Sequence, residues 1–134
     1  MEEDLYKKTP PKKQPGLRVE RHFTKEGTNV FDLFKYDTRS SVIRNPSGDA
    51  VFEMNDVEVP ATWSQVATDI LAQKYFRKAG VPQPDGTTGP EKSIKQVAHR
   101  MANCWKEWGM RYGYFASPKD SAIFYDEIVY TITG

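Results

Sequence analysis

Few side chains in this sequence can do covalent chemistry, and their spacing decides which reactions are open. There is one cysteine, Cys104, and there are two histidines, His22 and His99. A lone thiol cannot close an internal disulfide, which fits a reducing compartment. Cys104 stands three residues after Met101 and four before Trp108, on what reads as the apolar stripe of a helix. A thiol buried there is a small hydrophobe with a raised pKa, so its expected role is structural. The histidines have no second ligand at metal spacing, so zinc or iron is not expected. His99 lies beside the buried face of its helix and reads as a hydrogen-bonded structural histidine rather than a proton shuttle. Ser64, Ser117 and Ser121 lack a nearby His and Asp and read as caps or surface.

Two groups could meet an anion. Residues 86–93, GTTGPEKS, look superficially like a phosphate loop, but lack the Gly-x-x-x-x-Gly-Lys-Ser spacing and follow no strand. Lys92 and Ser93 nevertheless stand at an expected helix N-terminus, where backbone N–H groups attract anions. The second group is the cluster Lys74, Arg77 and Lys78, with Lys92, Lys95 and Arg100 near in sequence. It reads either as one positive patch or as a solvated helix face. Tyr75 and Phe76 among these charges favour an interface, where aromatics and Arg concentrate.

The elements that would hold these residues follow from periodicity and punctuation. Residues 1–16 carry four lysines among Pro10, Pro11 and Pro15 and read as a flexible tail, not a secretory signal. Its lysines are open to a second reading, as a phosphate-binding arm. Residues 17–60 read as extended. Gly27-Thr28-Asn29 is a turn ahead of an aromatic plug of Val30, Phe31, Leu33 and Phe34. Val42-Ile43 and Val51–Met54 flank the turn formers of residues 45–49 as a small antiparallel hairpin. Asp56–Val59 reads as another short strand or an extended edge closed by Pro60.

The rest is helical. A first helix is expected from Ser64 to Lys78, with Val66, Ala67, Ile70, Leu71 and Tyr75 inward and Gly80 as the left-handed exit. After a long loop over 81–92, a second helix runs from Ser93 to Trp108. Its buried face would use Ile94, Val97, Ala98, Met101, Trp105 and Trp108. The third opens at the capping box Ser117-Pro118-Lys119-Asp120, and its stripe uses Ala122, Ile123, Ile128, Val129 and Ile132. The expected fold class is α+β, mostly helical: three main helices and a small antiparallel β-hairpin in the N-terminal half.

Size and charge agree with one compact domain over residues 17–134. The chain has 134 residues, 38% of them hydrophobic, with seven Tyr, seven Phe and three Trp. A chain of that length buries roughly two thirds of its unfolded surface. Nineteen basic against eighteen acidic residues give a net +1, so no overall field draws it to nucleic acid or lipid. The aromatics fall on helix stripes rather than on a strand platform, which also argues against direct nucleic-acid binding. No run approaches the ~20 apolar residues of a membrane helix, so the expectation is a cytoplasmic protein with no membrane partner.

Four runs carry a resemblance: RVERHFTKEGTNVFD at 18–32, WSQVATDILAQKYFRKAGVP at 63–82, EKSIKQVAHRMANCWKEWG at 91–109 and GYFASPKDSAIFYDEI at 113–128. In this order they resemble the amino-terminal domain of vitamin B12 (adenosylcobalamin)-dependent class II ribonucleotide reductases. The resemblance implies an oxidoreductase of deoxyribonucleotide biosynthesis, the source of DNA precursors, with adenosylcobalamin in the complete enzyme. In that family the radical cysteine and the cobalamin site lie on an α/β barrel that follows this domain, and the reaction also needs a redox cysteine pair. This sequence departs from the pattern by ending at Thr133-Gly134, before the barrel. No catalytic or cobalamin-binding position carries over, so the expectation is a chain non-catalytic on its own. Its expected partner is the catalytic barrel, on the same or a separate polypeptide, with nucleotides met through the complete enzyme. On that reading the basic cluster faces the barrel or its polyphosphate ligands. An alternative is a free-standing interaction or nucleotide-sensing module that reuses the domain.

Overall fold

The computed structural model describes residues 16–134. The tail expected over 1–16 therefore lies, but for Gly16, outside the described residues. Contacts divide the described residues into two compact units: Phe34–Val97, and 16–33 with Ala98–Gly134. The α+β class holds, with three helices and a two-stranded antiparallel hairpin as the main elements.

In the unit Phe34–Val97, β1 (Tyr36–Arg44) pairs antiparallel with β2 (Ala50–Pro60). Their turn is the one the sequence marks. The Asn45 N–H donates to the Asp49 carbonyl at 2.8 Å, and Gly48 takes φ +91°, a conformation glycine adopts at little cost. The strands run further than expected. Asp56–Val59 is not a separate strand but the continuation of β2, with Asp37 opposite Val59 and Arg39 opposite Val57. The register slips between Arg39 and Ser41, where Asn55 and Asp56 together oppose Ser40. Asp56 absorbs this bulge at φ +59°, a region where Asp is better tolerated than bulkier residues. Past the bulge Val57 and Val59 are fully buried.

Arg39 ties the hairpin to the following turn. Its guanidinium donates to the carbonyls of Trp63 and Ala61 and to Thr68 Oγ1, and pairs with Asp37 at 3.2 Å. The first helix, α1 (Gln65–Ile70), is capped by Ser64 Oγ, which accepts the Ala67 N–H at 3.1 Å. It does not continue as a regular α-helix to Lys78. Leu71–Tyr75 form a π-turn, closed by the Phe76 N–H on the Leu71 carbonyl at 3.0 Å. Such a turn holds one residue more than an α-turn and rotates all that follows. The turn brings Phe76 inward in place of Tyr75; ahead of it the regular helix already buries Thr68, with Leu71 and Ala72 following, and leaves Val66 and Ile70 exposed, contrary to expectation. The segment expected as a long loop contains a small ribbon, β3 (Val81–Pro82) against β4 (Thr88–Gly89). The Asp85 carboxylate accepts both the N–H and the hydroxyl of Thr87, and these bonds hold its pKa below the ordinary value.

Helix α2 (Ile94–Arg111) begins in this unit and continues into the other. There Ala98 and Ala102 form a core with Val30 and Val129, flanked by Phe31, Tyr125, Ile128, Tyr130 and Ile132. Of the expected aromatic plug, Val30 is in this core, on a 3₁₀ turn (Val30–Leu33), whereas Leu33 is exposed. Helix α3 (Pro118–Thr133) opens at the expected box. Ser117 Oγ accepts the Asp120 N–H at 3.3 Å, and Pro118 occupies the first turn. Ile123 and Val129 are buried as expected, and Ala122 is exposed.

Residues 17–24 lie along α3. The Leu17 N–H donates to the Tyr114 carbonyl at 2.7 Å, and the Ala116 N–H donates to the Leu17 carbonyl at 2.9 Å. A Cβ added to Gly16 would come within 2.3 Å of the Phe115 backbone, so only glycine permits this approach. Further along, Val19 donates to Asp120, Arg21 pairs with Asp126 at 2.8 Å, and Phe23 stacks on Tyr130.

Candidate functional site

The π-turn decides which side chains of the basic cluster reach solvent. Because it turns Phe76 inward, Lys74, Tyr75, Arg77 and Lys78 all come to the exposed side. The backbone that carries them is pinned by Glu91, a fully buried carboxylate. Glu91 accepts the Arg77 N–H at 2.8 Å, and its own N–H donates to the Arg77 carbonyl at 2.9 Å. This reciprocal pair joins the segment just after the π-turn to the one that carries Lys92 and Ser93. The Lys78 ammonium folds back, donating to the Ala72 carbonyl at 3.3 Å and lying 4.8 Å from the Phe52 ring centre. Lys74 and Arg77 direct exposed cationic side chains outward.

Lys92 and Ser93 precede the first turn of α2, and the donors there are already engaged. The Gln96 side chain accepts the N–H groups of Lys92 at 2.7 Å and Ser93 at 3.2 Å. Ser93 Oγ accepts the Lys95 N–H at 3.1 Å and donates to the Glu58 carboxylate at 2.6 Å. Lys95 completes the arrangement, 3.4 Å from Glu58 and 4.1 Å from the centre of the Tyr36 ring. The anion at this helix N-terminus is thus the protein's own Glu58, beside a Ser-x-x-Gln capping box over residues 93–96. The Lys92 side chain remains exposed. Arg100 belongs to the other unit, where it is half-buried and engaged in a contact.

Cys104 is exposed rather than buried, which corrects the sequence expectation. The expected face is covered only over Ile94, Val97 and Ala98; beyond them the cover moves round the helix to Ala102 and Gly109. Ile94, Val97, Ala98 and Ala102 are buried, whereas Trp105 and Trp108 are 39% and 52% exposed. Cys104 sits at the edge of the face left open. His99 is hydrogen-bonded, as expected, with Nδ1 2.7 Å from the Tyr125 hydroxyl, though it too is exposed. Burial and the neighbouring Asp126 raise the Tyr125 pKa, so the phenol stays protonated.

The sequence reading misses one polar site. The Glu127 carboxylate accepts the N–H groups of His22, Phe23 and Thr24 at 3.0, 3.1 and 3.1 Å and the Thr24 hydroxyl at 2.7 Å. Burial alone would raise its pKa, but the Thr24 hydroxyl and these amides outweigh that and hold it below the ordinary value. Three successive amides converging on one carboxylate form a backbone nest. Nothing local marks it, since the partners are 103–105 residues away in sequence.

Neither a metal-ligand set nor either of two concavities among the described residues offers a corrin a site. Among them no group of three His, Cys, Asp or Glu is placed to hold a metal ion. The concavities at Gly109–Ser121 and at Gln83–Lys92 measure about 230 and 380 Å³. These are at or below the small end of pockets that hold drug-sized ligands, and a corrin is larger than those. No helix among the described residues is long and apolar enough to cross a membrane.

Comparison with known proteins adds a consistent result. Residues 37–134 match the family model described as class II vitamin B12-dependent ribonucleotide reductase. A vitamin B12-dependent ribonucleotide reductase of Bradyrhizobium diazoefficiens is 40% identical over 87% of this chain and 12% of its own length. The protein of the same description from Agrobacterium fabrum is 37% identical, over 87% of this chain and 11% of its own. That from Rhodopirellula baltica is 38% identical, over 86% and 11%. The chain thus spans only about an eighth of the length of these relatives.

Proposed function

Because the chain belongs to the class II vitamin B12-dependent ribonucleotide reductase family, we propose that it serves as the amino-terminal accessory domain of such a reductase. On this reading residues 17–134 act as one functional part that supports a catalytic barrel and is not catalytic alone. The complete enzyme works in the cytoplasm, uses adenosylcobalamin, and converts ribonucleotides to deoxyribonucleotides for DNA synthesis.

The observation that carries the reading is electron accounting. Replacing the 2′-hydroxyl of a ribonucleotide by hydrogen consumes two electrons, which a pair of thiols supplies by forming a disulfide. This chain has one cysteine, so it cannot form that disulfide internally. Three of its carboxylates are committed to structure: Glu91 to Arg77, Glu58 to Ser93 and Lys95, Glu127 to the amides of 22–24. A catalytic remainder must supply the redox thiols, and no step through the corrin is assigned to these residues. The part left to this chain is association. Lys74 and Arg77, the outward cations of the cluster, would face that remainder or the phosphates of its nucleotides, with Lys78, Lys92, Ser93 and Arg100 in lesser roles.

The test is direct. The purified chain, given ribonucleoside diphosphates or triphosphates, a dithiol and adenosylcobalamin, is expected to form no deoxyribonucleotide above a protein-free blank. Turnover by the chain alone would remove the accessory reading.

A further inference from the structure

One face of α2 is left open by the packing, and the basic cluster does not account for it. Met101, Trp105, Trp108 and Tyr112 follow one another at spacings of four, three and four, so they share one helix face. Tyr112 keeps to that face because its N–H still donates to the Trp108 carbonyl at 3.0 Å. The packed side of this helix passes from Ile94, Val97 and Ala98 to Ala102 and Gly109 and leaves the aromatic stripe open. Ala98 and Ala102 are fully buried, whereas Trp105, Trp108 and Tyr112 are 39%, 52% and 41% exposed. The aromatic surface extends beyond the helix. The Tyr112 and Tyr114 rings lie 6.0 Å apart, and Tyr114 is bonded through its carbonyl to Leu17, which is itself 65% exposed.

We propose that this face, centred on Trp105 and Trp108, is the surface on which the catalytic remainder of the reductase docks. The inference rests on the accessory-domain reading and adds to it the place of contact. Trp and Tyr are the residues enriched at the centres of interfaces, where they carry most of the binding energy. Scattered exposed apolar residues are ordinary, but a run of aromatics on one face is not. The occupant follows from length and charge. This chain spans 12% of a relative in which the same region sits within one polypeptide, so a much larger body is held permanently nearby. Permanent interfaces are the more apolar kind. A nucleic acid or an anionic membrane would call for a basic face, and this stripe holds no cation among its four residues.

The experiment compares oxidation by hydroxyl radicals, read peptide by peptide, in two samples. One is the isolated chain; the other is the reductase assembled from this region and its catalytic remainder, on one polypeptide or two. Trp105 and Trp108 should be oxidised roughly tenfold more slowly in the assembled enzyme, with Tyr75 on the other unit as an exposed reference. Equal oxidation of both tryptophans in an assembled enzyme that reduces ribonucleotides would overturn the docking surface and leave the accessory reading intact. An assembly that never forms, or that lacks adenosylcobalamin-dependent activity, would overturn both. Protection of the tryptophans in the isolated chain, growing with its concentration, would assign the face to a second copy and also overturn the proposal. As a second measurement, Trp105→Ser with Trp108→Ser should weaken association by roughly thirtyfold or more, the loss typical of a hot spot. Both side chains are exposed, so circular dichroism of the isolated variant should match that of the parent. If it does not, oxidation of the unaltered protein decides alone.

Discussion

Phe76→Ala is expected to lower the stability of the unit Phe34–Val97 by about 3–5 kcal/mol, the usual range for a buried phenylalanine. Tyr75→Ala, one residue earlier, should cost under about 1 kcal/mol, as exposed positions do. The contrast follows from 4% exposure at Phe76 against 56% at Tyr75. It also tests the π-turn itself. In an uninterrupted α-helix from Ser64 to Lys78, Tyr75 continues the stripe of Leu71 and Phe76 falls beside it. The two substitutions would then exchange their effects. Urea denaturation followed by circular dichroism gives both values. Similar losses at the two positions would show that the helix is not rotated at Leu71.

Replacing Glu127 by Ala should cost about 2 kcal/mol and free residues 22–24 from α3. The carboxylate accepts four hydrogen bonds, and bonds to a charged group contribute roughly 1.5–3 kcal/mol each when isolated. The sum is not expected. His22 and Phe23 are exposed, so water replaces most of what their amides lose. The pH dependence has a definite sign. A carboxylate whose folded pKa lies below its ordinary 4.5 stabilises the fold fully above that value. That contribution fades as pH falls through the folded pKa, where protonation removes the charge the amides recognise. The gap between parent and Glu127→Ala should therefore be widest near neutrality and close below pH 4.5. Amide exchange at His22, Phe23 and Thr24 reports the same event locally. A gap independent of pH would mean that the charge of Glu127 contributes nothing.

What the sequence makes legible here is what short-range chemistry determines. The Ser117-Pro118-Lys119-Asp120 start of α3 and the turn over residues 45–49 are closed by partners a few residues apart, so their side chains announce them. The π-turn is hidden because Leu-Ala-Gln-Lys-Tyr is as good a run for an α-helix; the extra residue is set by where Leu71 and Phe76 find cover. The length of β2 is hidden for a similar reason, since the bulge at Asn55 and Asp56 exists only against Ser40. The stripe of α2 is read correctly over Ile94, Val97 and Ala98, but beyond them the cover lies on Ala102 and Gly109, and periodicity says which residues share a face and not which face is covered. Trp105, Trp108 and Cys104 were therefore expected inside and are outside. The basic cluster is legible as a cluster. What goes unread is that Lys78 folds back on Ala72 and Phe52, and that Glu58 and Gln96 already occupy the start of α2. Phe52 and Glu58 come from a distant strand, whereas Gln96 belongs to a Ser-x-x-Gln box that the sequence does carry and the reading misses.

The central proposal is that this chain serves ribonucleotide reduction only through a larger partner that holds the redox thiols. The most direct measurement is adenosylcobalamin-dependent formation of deoxyribonucleotide by three samples: the catalytic remainder, this chain, and the two together. The account predicts no product from the chain alone and more product from the mixture than from the remainder. Product from the chain alone, or a mixture no more active than the remainder and showing no association, would contradict it.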